Sequence, residues 1–323
     1  MSKLLIERQK EFVNLRNGTF IHFNSATEQF SKSEVCDWDY GITRSDDPKR
    51  HVFDPKTWNP TKLDCRQWAQ TAKSSQSTFA ALTTKHHEGF CLWPTKTTTH
   101  SVSYATNQTD VVKEYLTAFR DAGILPGFYY SIIDLHHGIT IERCDEEDKK
   151  MIKEQLKELL TNYGEIPFII FDGWQAPWGG PSYERLPFEE INDFIKELQP
   201  NCLVMNIGSG ENIETTDIIF YENAAGQDAD IDFIGPGASC NIYTNTWFWR
   251  EEHTTMDLKP ASWGIEKVEQ CNKQNISFLM NISPNNQGIV EGNLVERFVE
   301  FGQKYEKPED VVVLPEGWKY RKN

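Results

Sequence analysis

The chain has 323 residues, and 33 Lys and Arg stand against 48 Asp and Glu, a net charge of −15. That length admits one α/β barrel or two small domains. The acidic balance excludes nucleic acid or an anionic membrane surface as the main partner, because both need a cationic face, and 12% aromatic residues exclude a disordered chain.

No apolar stretch approaches the roughly 18 residues of a membrane span. The start, Met1–Phe12, carries charges where a secretory apolar region would lie. A cytoplasmic location is therefore expected, or a periplasmic or secreted one if a leader has been removed. Seven cysteines, odd in number and without a Cys-x-x-Cys, read as reduced buried thiols and show no zinc spacing.

Along the chain, short apolar β-rich runs alternate with segments of helical period. FIHF at 20–23 precedes a long polar loop and a helix over 64–73. TFAALTT at 78–84 leads to a helix over 110–122, and LPGFYYS at 125–131 to one over 146–163. IPFIIFD at 166–172 leads to 187–198. CLVMNI at 202–207 and DIIFYEN at 217–223 follow with too little chain between them for a helix. CNIYTNTW at 240–247, a helix over 261–272, ISFLMNIS at 276–283 and a helix over 293–305 complete the series.

Eight continuous apolar strands interleaved with helices predict a parallel sheet covered on both faces, closed as a (β/α)8 TIM-like barrel. An irregular connection is expected between the runs at 202–207 and 217–223. The barrel is assigned to 1–307 and a tail to 308–323, where a short strand or an extension is expected.

Barrel chemistry sits at the C-terminal strand ends. Those ends carry His22, Lys85-His86-His87, Tyr129-Tyr130-Ser131, Asp172 with Trp174, Asn206, Glu222-Asn223, Trp247 with Trp249, and Asn281. Imidazoles and amides bond hydroxyls and an indole stacks on a C–H face, so this set suits a neutral polyol. His86-His87 reads as paired hydroxyl recognition or as metal ligands, with a packing role for one of them as the alternative.

Asp172 closes an apolar strand, where an acid costs desolvation unless it is paired or used. Glu222 lies two strands further on. A retaining glycosidase needs two carboxyls about 5–5.5 Å apart, and strand ends two apart can supply them. Glu211, Glu214, Glu251 and Glu252 compete with Glu222 for that place. A metal-dependent hydrolase built on His22, His86 and His87, and a sugar-binding barrel without turnover, are the rival classes. His136-His137 reads as surface loop.

These motifs together resemble glycoside hydrolase family 29, the retaining α-L-fucosidases. Lys85-His86-His87-Glu88-Gly89-Phe90 through Trp93-Pro94, followed by His100-Ser101-Val102, is similar to that family's Lys-His-His-Asp-Gly-Phe stretch. Gly127-Phe128-Tyr129-Tyr130-Ser131 resembles its Gly-x-Tyr-x-Ser strand, and Phe171-Asp172-Gly173 its nucleophile motif.

The resemblance implies hydrolysis of terminal α-L-fucose from oligosaccharides or glycoconjugates, without metal or organic cofactor. It makes Asp172 the nucleophile and Glu222 the acid/base. It implies that His22, His86, His87, Tyr129, Trp247 and the Asp37-Trp38 pair bind the sugar. Glu222 in Tyr-Glu-Asn-Ala-Ala-Gly resembles the 1,3/1,4-linkage-selective subgroup. Ile170 stands where the family usually has Trp, and Asp37 where it has Glu, which points to an altered glycone such as an L-galactose-like sugar. The family's C-terminal β-sandwich has no counterpart in this sequence.

Overall fold

A computed structural model describes residues 4–29, 53–176 and 179–321. Eight parallel strands close into a barrel in chain order: β1 (Asn17–Ile21), β2 (Phe79–Lys85), β3 (Leu125–Ser131), β4 (Phe168–Asp172), β5 (Leu203–Ile207), β6 (Ile218–Tyr221), β7 (Gly237–Asn241) and β8 (Ile276–Ile282). Helices Cys65–Ser74, Val111–Asp121, Glu146–Thr161, Phe188–Leu198, Ala261–Lys273 and Gly292–Lys304 follow the strands, within two residues of where periodicity puts them. Acidic caps start three of them. Asp64 accepts from Gln67 N and Asp110 from Lys113 N, each at 2.9 Å, and Asp145 forms a capping box with Asp148. Between β5 and β6 only the 3₁₀ turn Ile213–Thr215 forms, the irregularity expected there. Among the described residues no helix is long and apolar enough to cross a membrane, and the six described cysteines are free.

Two strands start earlier than their apolar runs. β1 begins at Asn17, whose side chain donates to Ser75 O at 2.7 Å, and Thr19 Oγ1 lies 2.7 Å from Ser77 Oγ. Those bonds let polar residues enter the sheet. β7 begins at Gly237, where a Cβ would stand 2.6 Å from Ile276 Cγ1 of β8, so glycine is needed for the close approach. It ends at Asn241, whose own Oδ1 accepts from Ile242 N at 2.7 Å. Trp247 is therefore a loop residue rather than the last of a strand.

The barrel interior holds Phe79, Ala81, Tyr129, Phe168, Ile170, Met205, Phe220, Cys240 and Leu279. Its N-terminal end is plugged by a helix that periodicity did not announce, Leu5–Val13. Phe12 of that helix meets Phe79 and Phe168 edge-on at 5.2 and 5.5 Å. The segment after residue 307 forms no strand in the described residues. It runs along the same end, with Val311 N donating to Asn14 Oδ1 at 2.7 Å and the Trp318 indole to Gln9 Oε1 at 3.1 Å.

At the opposite end, one irregularity sets the pocket. Thr83 pairs with Tyr129 but Lys85 pairs with Tyr130, so β2 carries one extra residue there. Phe79 and Ala81 face inward and Ala80 and Leu82 outward. Strict alternation would then send Lys85 inward. The bulge turns Lys85 outward, over the Tyr130 ring at 4.5 Å, and gives His86 to the interior, stacked on Tyr129 at 5.4 Å.

Lys85 pays for its burial through Asp134. Nζ lies 3.1 Å from Oδ2 and both side chains are fully buried. Burial raises the Asp134 carboxyl, yet Lys85 and His137 outweigh it and hold the carboxyl well below the usual carboxylate range. Removing one partner strands the other charge. Asp134→Ala is expected to cost about 3–5 kcal/mol in urea unfolding, and Lys85→Met combined with Asp134→Leu much less.

Candidate active site

The C-terminal strand ends surround a cavity open to solvent. It is lined by Phe20, His22, His86, His87, Tyr129, Asp172, Ile207, Glu222, Ala225, Cys240, Trp247 and Phe248.

His22 follows β1, and its Nδ1 lies 2.7 Å from Asn281 Oδ1 of β8. Asn281 Nδ2 in turn donates to Trp247 O at 2.8 Å. The Trp247 ring stacks on His22 with centroids 4.8 Å apart. Burial lowers the His22 pKa to about 3, and burial with the neighbouring imidazoles drives His86 well below its ordinary value. Both rings are therefore neutral at pH 7. His22 spends its one N–H on Asn281 Oδ1, so its Nε2 is left as an acceptor for a hydroxyl, whereas a neutral His86 ring carries one donor and one acceptor.

Asp172 ends β4. Tyr129 Oη donates to its Oδ2 at 2.8 Å, and His87 Nε2 lies 3.5 Å from the same oxygen. The turn beyond it needs Gly173, whose φ is +98° and whose Cβ would meet Ile133 Cγ1 at 2.6 Å. Glu222 follows β6 and begins the 3₁₀ turn Asn223–Ala225, its backbone N bonded to Gln227 Oε1 at 3.1 Å. Burial and then the Asp172 charge raise Glu222 to about 7, against a hydrogen bond from Trp247. The Cys240 thiol is pushed up by burial and by the charges of both acids. The pocket thus holds one carboxyl supplied with hydrogen-bond donors and one carboxyl favoured in its protonated form.

Seven of the nine residues singled out for the site line this one cavity: His22, His86, His87, Tyr129, Asp172, Glu222 and Trp247. Asp37 and Trp38 lie outside the described residues. The competing acids are elsewhere. Glu211 is bonded by Lys319 and Tyr221, Glu214 is exposed, and Glu251 borders a separate cavity. Ile170, expected at the pocket, is fully buried in the barrel interior and does not line the cavity.

His136 and His137 do more than sit on a surface loop. His137 Nδ1 lies 2.9 Å from Asp134 Oδ1, and His136 stacks on His100 at 3.8 Å. Among the described residues the metal-sized spacing belongs to Glu88, His100 and His136, not to the pocket imidazoles. His100 Nε2 lies 2.9 Å from each Glu88 oxygen. Sequence reasoning did not single out Ala225, which follows Glu222 in the 3₁₀ turn, and it missed Phe20, Ile207, Cys240 and Phe248. Phe248 was signalled by the Trp247–Trp249 aromatic run; the other three are ordinary strand residues whose inward facing no local pattern reveals.

A family model described as Alpha-L-fucosidase matches residues 6–307. Alpha-L-fucosidase 1 of Arabidopsis thaliana is 30% identical over 311 residues, 88% of this chain and 56% of that protein. Putative alpha-L-fucosidase 1 of Oryza sativa subsp. japonica is 26% identical over 308 residues, 87% of this chain and 55% of that protein. The chain thus spans little more than half the length of these curated relatives. A bacterial fucosidase solved with a dihydroxy-methylpyrrolidine triazole inhibitor superposes with a TM-score of 0.77 at 22% identity, covering 94% of this chain and 74% of that one. A GH29 α-L-fucosidase from Bacteroides thetaiotaomicron, solved as a trapped covalent intermediate with 2-fluoro-fucosyl fluoride, gives 0.73 at 21% identity and covers 94% and 75%. These likenesses show a shared fold. Since the matched span runs from within the N-terminal plug helix past the last barrel helix, the chain belongs to the α-L-fucosidase family.

Proposed function

We propose that this barrel hydrolyses terminal α-L-fucosides of oligosaccharides or glycoconjugates with retention of configuration. The observation that carries the reading is the contrast between two acids in one pocket. Asp172 accepts from Tyr129 beside His87, while burial and the Asp172 charge keep a proton on Glu222. That is the division of labour a double displacement needs.

In the first step an Asp172 oxygen attacks C1, the bond from C1 to the leaving oxygen breaks, and the Glu222 proton moves to that oxygen. In the second, Glu222 takes a proton from water, the water oxygen bonds to C1, and the ester to Asp172 breaks. His22, His86 and Tyr129 are assigned to the sugar hydroxyls, and Trp247 to its C–H face. Asp37 and Trp38 are assigned to the sugar on resemblance alone. The displacement uses side-chain acids throughout and calls for no cofactor.

Asp172→Asn is expected to lower turnover of an aryl α-L-fucoside about 10⁴-fold. Turnover near wild type removes Asp172 from the nucleophile role. Glu222→Gln is expected to slow fucosides with poor leaving groups about 10²–10⁴-fold, and activated aryl fucosides less.

Because Glu222 acts protonated, kcat/KM should fall as pH rises through about 7. The same shift has a stability consequence. Between its ordinary 4.5 and about 7, the folded protein keeps a proton that the unfolded chain has lost, so stability falls as pH rises through that window. Thermal unfolding should therefore find Glu222→Gln stabilised relative to wild type at pH 8 and no more stable at pH 4.

We also propose the 1,3/1,4-linkage preference, from the Tyr221-Glu222-Asn223-Ala224-Ala225-Gly226 stretch. Faster release of fucose from α-1,3- and α-1,4-linked than from α-1,2-linked oligosaccharides is the expected result, and the opposite order rejects it.

A further inference from the structure

The register of β3 and β4 sets Ser131 directly opposite Asp172. Ser131 is fully buried and does not line the cavity. Its Oγ lies 2.6 Å from His87 Nδ1 and 3.1 Å from Ile133 O. The other ring nitrogen of His87, Nε2, faces Asp172 Oδ2 at 3.5 Å. Tyr129 donates to that same Oδ2, whereas Oδ1 takes no hydrogen bond from the described residues. A chain of three groups thus runs from the wall of the barrel to one oxygen of the acid.

A serine hydroxyl has one proton to give, and two acceptors compete for it. If it goes to Ile133 O, Ser131 must accept from His87 Nδ1–H. A neutral His87 then turns a lone pair toward a carboxylate oxygen, and two acceptors face each other in a buried site. If it goes to Nδ1, the nearer acceptor, the neutral ring carries its proton on Nε2 and directs an N–H at Oδ2. The loss is then one hydrogen bond to the neutral Ile133 carbonyl, which costs less than two acceptors facing each other beside a carboxylate. Burial lowers the His87 pKa, Asp172 opposes that, and Lys85 adds to the lowering, so the ring is neutral overall.

We propose that Ser131 is a positioning residue: its hydroxyl donates to His87 Nδ1 and so holds the imidazole as the Nε2–H tautomer, aimed at Oδ2 of Asp172. Two donors then gather on Oδ2 and leave Oδ1 as the oxygen that attacks C1. Charge is held on the atom that becomes the ester carbonyl, and among the described residues no hydrogen bond to the nucleophilic atom has to break. The kinetic part of this assignment rests on Asp172 being the nucleophile; the tautomer does not.

The test is two-bond ¹H–¹⁵N spectroscopy of the histidine side chains of the intact protein at pH 7, with the His87 signals assigned by their loss in His87→Asn. Wild type is expected to show the Nε2–H pattern for His87. Ser131→Ala should lose that pattern, and Ser131→Thr, which returns the hydroxyl, should restore it. On an aryl α-L-fucoside, Ser131→Ala should lower kcat about 10- to 100-fold, the worth of one charge-assisted hydrogen bond, with KM changing much less. A wild-type His87 in the Nδ1–H form overturns the proposal. So does a Ser131→Ala protein that keeps both the Nε2–H pattern and the wild-type kcat. An inactive wild type with the Nε2–H pattern, lost in Ser131→Ala, refutes the fucosidase reading and upholds the Ser131 assignment.

Discussion

The site depends on the hydrogen-bond register of three neighbouring parallel strands. Side chains alternate along a strand, so a one-residue slip between partners exchanges the inward and outward sets. With Ser131 opposite Asp172 and Tyr129 opposite Ile170, the β3–β4 pairing puts the Tyr129 phenol on the acid and the Ser131 hydroxyl on His87 beside it. The extra residue in β2 then does for the imidazoles what the register does for the acid. It sends Lys85 outward to Asp134 and His86 inward to Tyr129. The buried ion pair therefore serves the bulge as much as stability. A lysine turned out of the interior has to end somewhere, and here it ends on a carboxylate fixed by His137.

Two carboxyls in one cavity have different surroundings. Asp172 stands on strand backbone among donors. Glu222 stands on a 3₁₀ turn, buried, with the Asp172 charge as its nearest electrostatic opponent. The same proximity explains why Tyr129 and Cys240 both hold their protons firmly, since ionising either adds a third negative charge to a buried pocket. The acidic net charge of the chain plays no visible part in this; the proposed neutral sugar would meet short-range donors, acceptors and an indole face.

The two ends of the barrel divide the work. The N-terminal end is filled by Phe12 and crossed by the segment around Val311 and Trp318, so it is packed closed. The C-terminal end keeps its cavity open because residues there are long, polar and tied to one another. His22 to Asn281 and Asn281 to Trp247 form one such tie, and it holds the segment carrying the indole that lines the cavity against His22.

Much of this was legible in the order of residues. Eight apolar runs with helices between them specify a closed parallel barrel, because such strands can be buried on both faces in few other ways. The polar residue ending each run marks the mouth, which is why Asp172, His86, His87, Tyr129 and Glu222 were found together. What the sequence could not supply were facts about pairs of strands. The bulge at Thr83–Lys85, the early start of β7 at a small residue, the inward facing of Phe20, Ile207 and Cys240, and the placing of Ile170 below the pocket all depend on which residue lies opposite which. Local periodicity records how a strand alternates but not against what. The chain by itself determined the barrel and the chemistry available at its rim; the closed sheet alone decided which of those groups meet, since only register converts residues distant in sequence into neighbours a few ångströms apart.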